Sequence, residues 1–306
     1  MIQSINTKKE AWLHAVRLRT LPLALASIFG GSFLAAYHGV FRWEILLFAS
    51  LTTIFLQILS NLSNDYGDTI HGADHEDRQG PVRAVQSGLI SLPEMKRAMY
   101  LFGALALISG LVLLYLAVQD WMLFGIFLAL GMAAIWASIS YTSGSNPYGY
   151  SGFGDISVFL FFGLLGVFGT YYLHSLAWDS TIIWIGIALG LFSAAVLNIN
   201  NIRDIESDTV AGKKSIPVRI GKKDAIIYNW FLILGGNFCL LMFAYTTNEW
   251  GSLLALAIFP IMVKIGMAVQ KGKNSAEIDP NLKKMAISTL VWVILFGVGL
   301  VFLAKS

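Results

Sequence analysis

Nine stretches of predominantly apolar residues recur along the chain, at roughly 20–40, 44–64, 94–118, 121–141, 155–175, 181–201, 225–246, 250–270 and 284–304. About twenty such residues, wound as an α-helix, match the ~30 Å hydrocarbon core of a bilayer. Lipid offers the backbone no hydrogen-bond partners, so runs of this kind span as helices, which satisfy their own N–H and C=O groups. The nine runs use up most of the 306 residues. The expectation is an all-α polytopic membrane protein of nine transmembrane helices. It forms one transmembrane domain over residues 1–306, with no room for a separate soluble domain.

Lys and Arg orient the chain. With the N-terminus cytoplasmic, every Lys and Arg except Arg42 and Lys305 falls on the cytoplasmic side, as the positive-inside rule requires. Residues 1–19 are polar and carry Lys8, Lys9, Arg17 and Arg19, and the apolar run that follows is longer than the h-region of a cleavable signal. This segment reads as a cytoplasmic lead-in. The basic residues behind the net charge of +3 are thereby a topology signal, and no nucleic-acid partner is expected. The one cysteine, Cys239, falls inside a span and reads as a small core residue.

The polar residues collect on the cytoplasmic side, in loops 61–93, 141–155 and 198–224. The opposite loops, such as "VQDW" and "TTNEW", are short connectors with interfacial aromatic anchors. In "NLSNDYGDTIHGADHED", Asn64 and Asp68 are four apart, with Asp65 alongside and Asp74 and Asp77 following. In "NINNIRDIESD", Asn200, Asp204 and Asp208 follow the same interval. Residues four apart share one helical face, so each motif is expected to project an amide oxygen and carboxylates as a stripe. The two stripes sit at the same-side ends of spans two and six, a sign of a parallel internal repeat. Each is followed by base: Arg78 and Arg83 after the first, Lys213, Lys214 and Arg219 after the second. The third loop, "TSGSNPYGYSGFG", holds no Lys or Arg and is rich in Gly and Tyr. His71 and His75, four apart beside Asp74, lack a third strong zinc ligand and read as solvated loop; His14, His38 and His174 read as interfacial.

Acid followed by base, twice on one side of a membrane, suits a lipid-tailed diphosphate. Mg2+ is commonly held by one or two carboxylates together with substrate phosphates. Two clusters facing one cavity could hold two such ions and share a diphosphate, with Arg and Lys neutralising the remaining oxygens. Carboxylates alone repel a diphosphate; with metal they attract it.

At these residues the chain resembles the UbiA superfamily of intramembrane aromatic prenyltransferases. The matching stretches are "RLRTLPLALASIFGGSFLA" (17–35), residues 61–91, "YTSGSNPYGYSGFGDISVFLFFG" (141–163) and "NNIRDIESDTVAGKKSIPVRIG" (200–221). The "NDYGDTIHGAD" and "PYGYSGFGD" forms point to its naphthoate-prenylating branch. Gly72 stands where the superfamily's first motif has a further Asp, and Asn146 where this branch often has a basic residue.

The resemblance implies nine helices around a central cavity that opens laterally to lipid. It implies Mg2+-assisted transfer of a polyprenyl group from polyprenyl diphosphate to 1,4-dihydroxy-2-naphthoate, with loss of the ring carboxylate, giving demethylmenaquinone, diphosphate and CO2. By the same resemblance Asn64, Asp65, Asp68, Asp74, Asn200, Asp204 and Asp208 are metal candidates, with Asp68, Asp204 and Asp208 central to catalysis. Arg78, Arg83, Lys213, Lys214 and Arg219 are candidates for the diphosphate or the acceptor carboxylate, and Tyr141 and Asn146 for the acceptor pocket. The implied location is the bacterial inner membrane, with the lipid bilayer as partner and the active face cytoplasmic. Two other readings stay open: a sibling enzyme using another aromatic acceptor, such as 4-hydroxybenzoate, and a secondary transporter. Transporters place their acids near the bilayer midplane in inverted repeats; here the acids lie at the inner boundary and the motifs run parallel.

Overall fold

The computed structural model describes residues 7–71, 84–144 and 147–303. Among these, nine helical segments are long and apolar enough to cross a membrane: α1 Lys8–Tyr37, α2 Trp43–Ile70, α3 Leu92–Ala117, α4 Trp121–Ser140, α5 Gly154–Ser175, α6 Ser180–Arg203, α7 Ile216–Thr247, α8 Trp250–Lys271 and α9 Ser275–Phe302. The expected helix number is met. Several helices run past their apolar cores, and that extra length carries the polar chemistry.

Local sequence sets the breaks between spans. Ser91 and Glu94 form a capping box that starts α3, the Asp120 carboxylate accepts from Leu123 N at 2.8 Å to start α4, and Asn274 accepts from Glu277 N at 3.0 Å to start α9. Each satisfies backbone donors that the first helical turn leaves open. α1 is broken at Arg17, which takes a left-handed backbone (φ 50°), before the helix resumes through Pro22. α7 is interrupted at Gly221 (φ 82°, ψ 161°), a conformation only glycine enters at little cost. The chain expected to be loop before residue 225 is thus helix, then a kink. α9 begins at Ser275 rather than near 284, with Pro280 inside its first turns. Residues Phe159–Gly169 of α5 are π-helical, a rare widening of the helix frequently found at functional sites.

α1 packs against α2, α5 and α9, α6 against α5, α7 and α9, and α8 against α9. The largest apolar cluster lies among α1, α5, α6, α7, α8 and α9, with Trp292 stacked on Phe296 and edge-on to Phe192. A smaller one joins α1, α2 and α3 around Leu59, Leu62 and Met95. α4 packs on α2 and α3 and buries only Ala137, turning Trp121 and Trp136 outward as a lipid-facing wall. Between the two clusters lies a cavity of about 450 Å3. One histidine expected at the interface differs from expectation. His174 is buried, with its ring nitrogens 3.1 Å from Ser32 Oγ and 3.1 Å from Arg42 N, because the α5 terminus packs on the end of α1.

Candidate active site

The last turns of α2 deliver the first motif. Asn64 and Asp68 are on one face, as their spacing predicts, and both line the cavity. The loop after α4 lies directly on this face. Thr142 Oγ1 donates to Asn64 Oδ1 (2.9 Å) and to Ser63 O (3.0 Å), and Ser143 Oγ to Ser63 O (3.2 Å). Gly67 makes the approach possible: a Cβ there would meet the Thr142 carbonyl carbon at 2.6 Å. The Tyr150 hydroxyl then donates to Asp68 Oδ1. His71, expected to be a solvated loop residue, helps hold this loop, with its ring nitrogens 2.8 Å from Gly67 O and 2.9 Å from Gly144 O.

The second motif is not one continuous helix. α6 ends at Arg203, Asp204 turns the chain (φ −99°, ψ 11°), and a short helix Ile205–Val210 follows. The stripe survives because Asp208 N bonds Asp204 O at 2.8 Å and Lys213 N bonds Asp208 O at 2.9 Å. Asn200, Asp204 and Asp208 line the same cavity as Asn64 and Asp68.

One ammonium joins the motifs. Lys213 Nζ lies 3.4 Å from Asp68 Oδ1 and 3.2 Å from Asp208 Oδ1, and 4.9 Å over the Tyr150 ring. Burial pushes the Asp208 carboxyl above the usual carboxylate range, and the Lys213 charge opposes that rise. Tyr141 lines the cavity floor beneath the loop, and burial drives its phenol well above the ordinary range.

Other candidates fall elsewhere. Asp65 is buried but turned toward the break in α1, where Arg17 Nη2 holds its Oδ1 at 2.5 Å; it does not line the cavity. Lys214 and Arg219 are exposed and also outside the cavity lining. Asp74, Asp77, Arg78, Arg83 and Asn146, with His75, lie outside the described residues.

Sequence reasoning missed Arg203, Tyr150 and Asp279. Arg203 lines the cavity and gives Nε and Nη2 to the two Asp204 oxygens (2.8 and 2.5 Å), Nη2 also to Asn200 Oδ1 (2.8 Å), and Nη1 to Asp279 Oδ1 (2.5 Å). It sits inside the quoted motif, where the sequence presents it only as one more basic residue of the topology signal. Asp279 belongs to the extra turns of α9.

The donor set fits a hard cation. Asn64, Asp68, Asn200, Asp204 and Asp208 offer only oxygens, and cationic nitrogens of Lys213 and Arg203 already stand against them. Among the described residues no three His, Cys, Asp or Glu side chains converge closely enough to hold a metal ion by themselves. Mg2+ is commonly held by one or two carboxylates with waters and substrate phosphates completing its coordination. Away from this polar end the cavity wall is apolar, from Leu111 and Leu114 to Phe127, Phe161 and Leu165.

Comparison with known proteins agrees with this architecture. The chain is 44% identical over 299 residues to 1,4-dihydroxy-2-naphthoate octaprenyltransferase of Haemophilus influenzae, covering 97% of each chain. It is 42% identical over 307 residues to the protein of the same name from Escherichia coli K12, covering 100% of this chain and 99% of that one. The fold is shared with a UbiA homolog from Aeropyrum pernix K1 (TM-score 0.67, 17% identity, 92% of this chain and 97% of that one). It is also shared with a UbiA homolog from Archaeoglobus fulgidus solved with DMAPP and Mg2+ (TM-score 0.57, 17% identity, 95% and 98%). The pattern of the UbiA prenyltransferase family matches residues 24–290, and the chain belongs to that family.

Proposed function

We propose that this protein transfers a polyprenyl group from polyprenyl diphosphate to 1,4-dihydroxy-2-naphthoate, releasing diphosphate and the ring carboxylate as CO2, to give demethylmenaquinone in its reduced, quinol form. The observation that carries the reading is the meeting of two distant Asn/Asp motifs on one ammonium at the polar end of an otherwise apolar cavity. The full-length relatives named for this reaction support the choice of acceptor.

The residues divide the work by position. Asn64, Asp68, Asn200, Asp204 and Asp208 are the groups that would hold Mg2+, which when bound neutralises the diphosphate and eases its departure. Lys213, between Asp68 and Asp208, is placed to turn its ammonium to a phosphate oxygen. Tyr150 fixes the Asp68 carboxylate through its hydroxyl. As the allylic C–O bond breaks, positive charge develops on carbon, and aromatic faces such as Tyr141 and Phe161 can stabilise it. The apolar wall keeps water from capturing that carbon. The electron-rich naphthol ring attacks it, and loss of the ring carboxylate as CO2 restores aromaticity with both ring hydroxyls kept.

A cavity of about 450 Å3 holds a head group and part of a long chain. Leu111, Leu130 and Met132 line the cavity and are also exposed on the outer surface. The tail leaves the bundle past them into lipid. The motif-bearing end faces the cytoplasm of a bacterial inner membrane, on the distribution of Lys and Arg.

The test is an acceptor assay. Membranes containing the protein are incubated with labelled polyprenyl diphosphate, Mg2+ and either 1,4-dihydroxy-2-naphthoate or 4-hydroxybenzoate. Labelled demethylmenaquinol, recovered as the quinone after oxidation by air, is expected only with the naphthoate. Product only with 4-hydroxybenzoate would reassign the acceptor, and product with neither would end the reading.

A further inference from the structure

Arg203 occupies oxygens that a divalent ion needs. Its Nε and Nη2 take both carboxylate oxygens of Asp204, and Nη2 also takes Asn200 Oδ1. Those are the two ligand candidates that α6 contributes. A cation binding there competes with the guanidinium for them. Arg203 is buried, its side chain only 4% exposed. A guanidinium left unpaired at such a depth is strongly unfavourable, so it needs a second carboxylate to remain on.

Asp279 is that carboxylate. Its Oδ1 already receives Arg203 Nη1 at 2.5 Å, from the opposite side of the guanidinium to Asp204. α9 is fixed here by a second bond, Ser275 Oγ to Arg203 O at 2.8 Å. Asp279 is also reached by Arg19 Nη1, at 3.3 and 3.2 Å from its two oxygens. Arg19 belongs to α1 and does not line the cavity; its ion pair is with Asp279.

We propose that Asp279 is a positioning residue for the ion site: it retains the Arg203 guanidinium so that Asn200 and Asp204 can turn their oxygens from Arg203 to a divalent cation. This rests on the reading that Asn200 and Asp204 serve such an ion. Without Asp279, Arg203 keeps only Asp204 and Asn200 among the described residues. The pair then holds more tightly against an entering ion.

The experiment is Mn2+ titration of the detergent-purified full chain, followed by the EPR signal of free Mn2+, alone and with inorganic diphosphate, without turnover. Asp279→Asn is expected to weaken Mn2+ binding by about 10- to 100-fold, the usual effect of removing a group that orients a metal ligand. Asp279→Glu, which keeps the carboxylate, is expected to stay near the parent. Arg19→Gln breaks the same α1–α9 ion pair while leaving Arg203–Asp279 in place, and is expected to bind Mn2+ like the parent. In prenyl transfer, the metal requirement of Asp279→Asn rises by the same factor while the rate at saturating metal is retained. Elution from gel filtration checks that each variant is folded, with Asp279→Ser as substitute if Asp279→Asn is not. Parent-like or tighter Mn2+ binding by Asp279→Asn overturns the inference, and so does equal weakening by Arg19→Gln, which marks a merely structural ion pair. Failure of the underlying reading looks different: the parent binds no Mn2+ in either condition, or Asp204→Asn binds it as well as the parent.

Discussion

Replacing Gly67 with Ala tests whether the loop after α4 positions the first motif. Gly67 lies between Asn64 and Asp68 on α2, against the backbone of Thr142. An added Cβ would sit 2.6 Å from the Thr142 carbonyl carbon, where ordinary contact begins near 3.4 Å. The loop must therefore retreat by about 1 Å, because the obstacle is backbone and cannot rotate away. That retreat stretches the Thr142 Oγ1 bonds to Asn64 Oδ1 (2.9 Å) and Ser63 O (3.0 Å) beyond useful length and carries Tyr150 off Asp68. Two neutral hydrogen bonds at ~1 kcal/mol each and ~1–3 kcal/mol of overpacking outweigh the ~0.5–1 kcal/mol that Ala gains over Gly in a helix. The net loss of stability is about 2–4 kcal/mol. Misplacement of a reacting group by about 1 Å costs on the order of 100-fold in rate. Initial rates of prenyl transfer, measured beside thermal unfolding in detergent, read both effects. Gly125→Ala on α4 is the control, since a Cβ there meets nothing within 4 Å. If Gly67→Ala turns over within about twofold of the parent while folded, the loop does not set the position of Asp68 and this account of the site is wrong.

Three further outcomes are expected. Asp68→Asn and Asp204→Asn should each lower transfer by at least ~100-fold with membrane insertion intact, and excess EDTA should abolish the parent's activity until Mg2+ is restored; undiminished turnover in EDTA contradicts the assignment of a divalent ion. Tyr150→Phe removes one hydrogen bond to a carboxylate, worth ~1.5–3 kcal/mol, and should lower kcat/KM by about tenfold or more without loss of fold; an unchanged value means the hydroxyl does not orient Asp68. Trp292→Ala, in the fully buried cluster with Phe192 and Phe296, should destabilise by about 3–5 kcal/mol, while Trp121→Ala at a position 84% exposed should barely move the Tm in detergent.

Apolar run length reports the number of helices reliably because the bilayer imposes it. It reports their ends poorly, because a helix continues into water wherever local capping allows. α9 shows the consequence: the apolar run starts near 284, Asn274 caps the helix ten residues earlier, and Asp279 lies in the difference. Spacing placed Asn64 with Asp68 correctly. It does not bring in Asp65, which sits about 100° round the helix from Asn64 and meets Arg17 at the break in α1. No local pattern announces that break, since a left-handed Arg depends on its tertiary partner. Arg203 was legible as a residue but not as a role. Its neighbours Asp204 and Asp279 come from two helices that only folding brings together.

The placement of acid at the end of a greasy helix follows from charge accounting inside the cavity. Its lining carries Asp68, Asp155, Asp204 and Asp208 against Arg17, Arg203 and Lys213. Arg17 is committed to Asp65, and Arg203 shares its guanidinium with Asp279. Among the described residues, Lys213 serves both Asp68 and Asp208. Among the described residues the lining carboxylates therefore outnumber the lining cations by one. Burial opposes ionisation, as the raised Asp208 shows. A pocket in this state binds a multivalent cation more favourably than an anion, and accepts a diphosphate only together with that cation. Metal and diphosphate must then load as partners. Saturating prenyl diphosphate without divalent ion is expected to leave the site as it is, with Lys213 still on Asp68 and Asp208.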